Sequence, residues 1–185
     1  MESSVQIRRV PVEPSATDST RTLLRHLVAT LAYRAAKVLR DAPAGFGALE
    51  FGSATRKPVL IVAHLADLMS WAVGLARGES SWRAEGGSDW ETEVIRFFDR
   101  LAELDRALAS EGSLQGPAER QVEKLIQGPL ADALTHVGQL AMLRGMSGAP
   151  LRPESYARAE IVVGRVGKEQ AAARAEFDGD ASVRT

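Results

Sequence analysis

Three histidines and no cysteine define the chemistry open to this 185-residue chain. Without thiols there is no disulfide, no cysteine nucleophile, no iron–sulfur cluster and no cysteine-based zinc site. A metal site must therefore draw on His26, His64 and His136 together with carboxylates or amides. The informative spacing is Asp132, His136 and Gln139, because residues four and three apart stack on one face of a helix. A carboxylate and an imidazole one turn apart form a two-toothed metal clamp. His64 from a facing helix would supply a third donor. Two imidazoles and one carboxylate leave coordination positions open. Zinc accepts that set in catalytic sites, and non-haem iron(II), nickel or manganese also suit it. An ion there would lower the pKa of bound water or thiol, or polarise a carbonyl.

The elements that would position these residues are helices. Apolar residues recur at three- and four-residue steps from Ser19 to Asp41, placing Leu24, Leu27, Val28, Leu31, Ala35 and Val38 on one face. At about 100° per residue, His26 falls on the opposite face beside Thr22, Thr30, Tyr33 and Lys37, and so faces solvent. A connector rich in glycine and proline follows, then a helix from about Arg56 to Arg77 that Gly78 terminates. On it, His64 shares a stripe with Leu60, Leu68, Trp71 and Leu75 and points into the protein. It reads either as a ligand or as a core histidine bonded to a neighbouring helix, with Asp67 near it. Ser88 and Glu91 form a capping box, opening a helix that buries Trp90, Val94, Phe97, Phe98, Leu101, Leu104 and Leu108.

Pro117 opens a short helix ending near Gln127, and Gly128-Pro129 restarts the chain for a helix to about Met146. Asp132 lies in the first turn there, where the helix dipole alone would favour a carboxylate. Gln139 either orients a ligand or pairs with backbone. Trp71 reads as core or as pocket wall. Arg144 reads as an exposed helix-end residue, with anchoring of an anionic substrate as the alternative. The expected fold is all-α, an antiparallel four-helix bundle over residues 15–170 with short extra helices near its C-terminal end. A flexible segment, 1–14, precedes it and a polar tail, 171–185, follows.

Charge narrows the partners. Lys and Arg total 23 against 24 Asp and Glu, a balance that offers no basic footprint for nucleic acid. No apolar run suits a signal peptide, and the longest, Pro58 to Ala63, stops at His64, well short of the roughly 20 residues of a membrane span. A cytoplasmic protein acting on a small molecule is the expectation.

The stretch from Gly128 to Arg144, with His136-Val-Gly138-Gln139 at its centre, resembles the DinB/YfiT-like superfamily. Val62-Ala-His64-Leu-Ala-Asp67-Leu-Met-Ser-Trp71 is similar to that family's histidine motif in its second helix. The resemblance runs from about Thr20 to Gly148. It implies a four-helix bundle, often a homodimer, holding a divalent metal on three side chains. It also implies activity with low-molecular-weight thiols, as in bacillithiol transferases and mycothiol-dependent maleylpyruvate isomerase. Most members carry His-x-x-x-His in the fourth helix, whereas this chain has Asp132 at the first of those positions. The isomerase branch carries a glutamate there. The resemblance makes His64, Asp132 and His136 the ligands of a thiol-transferase-like, isomerase-like or hydrolytic enzyme. The other class of reading is a non-catalytic, stress-linked bundle with a vestigial or structural metal site.

Overall fold

Three- and four-residue apolar spacing becomes five α-helices in the computed structural model, which describes residues 16–79, 81–87, 89–110, 114 and 118–178. They are α1 (Ala16–Leu39), α2 (Pro58–Ala76), α3 (Trp90–Ala109), α4 (Ala118–Leu125) and α5 (Ala131–Met146). No strand occurs among the described residues, which hold only one isolated antiparallel bridge, Glu154 with Glu176. The expected flexible segment 1–14, Ser88 and Pro117 lie outside the described residues. Pro58 opens α2 in its first turn, where its missing N–H would have had no partner in any case. The cap of α3 is Asp89, whose carboxylate accepts from the Thr92 amide at 3.1 Å and the Thr92 hydroxyl at 2.6 Å. The helix thus starts at Trp90, two residues beyond Ser88, because Asp89 offers two acceptors to Thr92.

α2 packs against α3 and α5, and α1 packs against the same two helices. Leu24, Val28, Leu31, Ala35 and Val38 of α1 are buried as their spacing predicts, with Leu27 partly so. Phe97, Phe98, Leu101, Leu104 and Leu108 of α3 join them, while Trp90 and Val94 pack at the margin. α2 is the central helix. By length and mean hydropathy, 1.8, it resembles a membrane span, although 67% of that window is buried inside the protein. A helix apolar almost all round belongs in a core as readily as in a bilayer.

The far side of α1 departs from the simple amphipathic picture. His26 is exposed, as expected, but Tyr33 and Lys37 are buried. The C-terminal segment covers them. Tyr33 donates to Glu154 at 2.7 Å, and Lys37 donates to Glu154 and Glu176 at 2.8 Å each. Backbone bonds from Ser155 to Ala175 and from Phe177 to Pro153 close this strap, so residues of the polar tail fold back onto the helix. Tyr156, in a 3-10 turn (Tyr156–Arg158), places its ring under the Arg34 guanidinium at 4.0 Å. Burial and the bond to Glu154 push the Tyr33 hydroxyl well above its ordinary pKa. Burial alone would lower Lys37, but Glu154 and Glu176 reverse this and raise it. The Lys37 ammonium in turn holds the Glu176 carboxyl below its usual range.

Arg144 is the second departure. It is buried, not exposed, and donates to the carbonyls of Val38 at 2.9 Å, Arg40 at 2.7 Å and Asp41 at 3.1 Å. It closes the C-terminal end of α1, where helix carbonyls lack partners and the dipole favours a cation. Burial lowers its pKa. With its guanidinium occupied by backbone, Arg144 does not serve as a substrate anchor.

Two predictions follow from these contacts. Arg144→Leu should lose about 2 kcal/mol of unfolding free energy in urea, the cost of stranding buried carbonyls. A carboxyl with a depressed pKa stabilises above its unfolded value, 4.5 for Glu176, and ceases to do so as pH falls through the folded value. A raised Lys37 stabilises below 10.5 and ceases to do so as pH rises through its folded value. Amide exchange at Phe177 and Ser155, corrected for intrinsic rates, should therefore be slowest between those limits and accelerate on acidification.

Candidate metal centre

His64 sits where the apolar stripe of α2 runs out. Leu68 and Leu75 are buried, but Leu60, one turn earlier, is 45% exposed. The imidazole consequently lies at the seam between core and solvent and not inside the core. Asp132 and His136 reach the same seam from α5. The chain restarts at Gly128-Pro129 as expected. Gly128 leaves the helical backbone at φ −91°, ψ −106°, so α4 and α5 are two helices meeting across a kink at Ile126–Leu130. The Ala131 amide already bonds to the Gly128 and Ile126 carbonyls. Asp132 lies in the first turn of the restarted helix, where the dipole also favours a carboxylate.

The three side chains converge. One ligand atom from each of His64, Asp132 and His136 lies within 4.8 Å of the others. The two oxygens of Asp132 divide between the imidazoles, Oδ2 at 3.4 Å from His64 Nε2 and Oδ1 at 3.5 Å from His136 Nε2. Those separations are long for hydrogen bonds, which favour about 2.9 Å. They leave the three side chains near enough to gather around one ion, whose ligands stand at about 2.0–2.2 Å. The imidazole planes are perpendicular, with ring centroids 4.8 Å apart. His136 Nδ1 lies 2.7 Å from Gln139 Oε1. Because the amide oxygen can only accept, that contact puts the proton on Nδ1 and turns the Nε2 lone pair toward Asp132. The donor set and its orientation fit a divalent ion.

Around the triad lies a groove of about 470 Å³, floored by Ile61 and Leu143, with Met142, Thr55 and Arg56 at its sides. Gln139 also lines it. Trp82, from the link between α2 and α3, sets its ring 5.7 Å from His64 and 5.9 Å from Trp71. Neither Trp82 nor Arg56 is singled out by the sequence. Both lie in irregular segments without periodicity, and the only cue to Trp82 is a tryptophan in an otherwise polar link. Trp71 is half-buried and borders a neighbouring cleft with Gly128 and Asp132.

Asp67 does not join the centre. Its buried carboxylate accepts from Arg96 at 2.7 Å and from the Glu85 amide at 3.3 Å. Arg96 also donates to the carbonyls of Ala63 at 2.9 Å and Gly86 at 3.3 Å. Burial alone would lower the Arg96 pKa, but Asp67 and Glu93 raise it. Asp67 thus anchors the link that carries Trp82 and is committed to a guanidinium, which leaves it unsuited to proton transfer at the triad.

No family model, curated protein or solved structure matches the chain.

The kink depends on one glycine. A Cβ on Gly128 would stand 3.0 Å from Trp71 Cη2 and 3.1 Å from Cζ3, tighter than packed carbons tolerate. Gly128→Ala should therefore cost about 1–3 kcal/mol of stability as overpacking does, measured by denaturant unfolding. A shift in Trp71 fluorescence should accompany it.

Proposed function

We propose that this protein is a divalent-metal-dependent enzyme in which His64, Asp132 and His136 hold the ion. The observation that carries the reading is the orientation of the donors. Two Nε2 atoms flank the two oxygens of one carboxylate at 3.4 and 3.5 Å, and Gln139 fixes the tautomer of one of them. Structural zinc sites close around four protein ligands, whereas sites that act on substrates keep a position open. Here three donors face a groove large enough for a small molecule. The ion, when bound, would supply Lewis acidity toward a water, a thiol or a carbonyl oxygen. The chain's own contribution is orientation: Gln139 holds His136, Trp82 stands beside His64, and Ile61 with Met142 gives the groove an apolar lining.

The helix pairings, α1 and α2 each against α3 and α5, support the antiparallel four-helix bundle that the DinB-like resemblance implies. In that setting a thiol-transfer, isomerisation or hydrolytic reaction on a small molecule is the proposed activity. A low-molecular-weight thiol is the proposed co-substrate, and zinc the first choice of ion.

Metal analysis tests this directly. Protein expressed in medium supplemented with zinc, nickel and manganese should carry about one metal per chain, and Asp132→Ala should fall below about 0.2 with its helical circular dichroism intact. Gln139→Leu should keep the site but weaken affinity roughly 10–100-fold, as loss of a partner behind a ligand does. Unchanged metal content in Asp132→Ala would return that carboxylate to a bystander role.

A further inference from the structure

We infer that Arg56 anchors an anion, and that the ligand taken by this groove is a small carboxylic acid with an apolar body. Its carboxylate would rest on Arg56 and a second donor would reach the triad. The inference rests on the metal-site reading above and specifies its substrate class.

The charges lining the groove carry it. Asp132 is its only carboxylate and faces the two imidazoles, while Arg56 is its only arginine or lysine. With a divalent ion bound, one carboxylate leaves a net charge of about +1 at the triad, to which Arg56 adds another. The arginines that tie the helices together are committed: Arg25 to Asp105, Arg77 to Glu103, Arg96 to Asp67 and Arg144 to the end of α1. Arg56 has no hydrogen bond or ion pair among the described residues. The nearby acid Glu50 pairs at 2.8 Å with Lys57. An unpaired guanidinium beside a metal-ligand cluster is a ready partner for an oxyanion.

The backbone around Arg56 is constrained. Gly52, at φ +123°, starts a turn closed by the Thr55 amide on the Gly52 carbonyl at 3.1 Å. Lys57 is extended at φ −61°, ψ 145° before buried Pro58, as a residue preceding proline must be. Arg56 is thus held between a closed turn and a fixed X-Pro step, which reduces the ordering cost of binding. Across from it, Met142 is 60% exposed, and Ile61 and Leu143 form an apolar floor. One guanidinium and the neighbouring Thr55 hydroxyl suit a planar carboxylate. A phosphate dianion would ask for more donors and would meet Asp132.

Cobalt(II)-loaded protein provides the test, since its visible absorption reports ligands at the ion without any assumed reaction. A series of ω-carboxyalkyl hydroxamates of increasing chain length would be titrated against acetohydroxamate, which lacks the carboxylate. One member of the series should bind about tenfold or more tighter than acetohydroxamate, the worth of one charge-assisted bond. Arg56→Gln should remove that preference, Arg56→Lys should restore part of it, and Lys57→Gln, which removes an equal charge next door, should leave it intact. Cobalt uptake without a preference, a preference surviving in Arg56→Gln, or equal loss in Lys57→Gln would overturn the inference alone. No cobalt uptake by the wild type would overturn the metal reading and this inference with it. An ω-phosphonate series binding tighter than the carboxylates would overturn the assignment to carboxylic acids.

Discussion

The ring of Trp71 on α2 lies so close to Gly128 that a Cβ there would stand only 3.0 Å from it. That approach lies where the chain bends between α4 and α5. Gly128 leaves the helical backbone at φ −91°, ψ −106°, so α5 restarts there in its own direction. Asp132 and His136 thereby face His64 instead of solvent. A side chain at Gly128 would press on Trp71 near the triad, where Asp132 stands 3.4 Å from His64. The packing of Trp71 on Gly128 and the placement of Asp132 are in this sense linked.

Guanidinium groups do much of the remaining positioning. Arg144 crosses from α5 to the end of α1, so the helix carrying two proposed ligands is tied to the first helix at its far end. Arg96 links α3 to α2 through Asp67 and the Ala63 carbonyl, and reaches the link that presents Trp82. Arg25 joins α1 to α3 through two bonds of 2.9 Å with Asp105. The fork of five donors lets one buried arginine satisfy several acceptors on different elements. Removing one partner would strand the others, which makes these groups structurally expensive to alter.

The helices were legible because burial on one face writes a 3.6-residue period into the sequence, and α1 and α3 follow it closely. The pairing of Asp132 with His136 was legible for a related reason. Asp132, His136 and Gln139 are neighbours within one helix, so their proximity follows from spacing alone. What lay hidden depends on partners distant in sequence. Tyr33 and Lys37 occupy the face of α1 that spacing leaves to water, and only a strap more than a hundred residues later covers them. Arg144 reads as a helix-end cation until the end of α1 arrives beside it. Asp67 is three residues from His64, yet its carboxylate turns to α3 because Arg96 waits there. Arg56 and Trp82 come from segments with no period, where position is set by turns and by what they pack against.

The carboxylate in the triad has an electrostatic consequence that connects these observations. Three neutral imidazoles would leave the full charge of a divalent ion in the groove, and anions would be drawn to it without further help. Replacing one imidazole by Asp132 halves that net charge, which weakens attraction for an anion and makes a coordinated water less acidic. A groove built this way gains from a second positive charge placed at a distance from the ion, where it can hold one end of a ligand while the ion meets the other. Arg56 lines the same groove and has no competing partner among the described residues, whereas Arg144, closer in sequence to the triad, is held by the backbone of α1. Division of charge between two points favours ligands of defined length over small inorganic anions, since only a ligand with two ends can use both. On the proposed reading Asp132 and Arg56 act together: the first would lower the general attraction of the site for anions, and the second would return it in directional form.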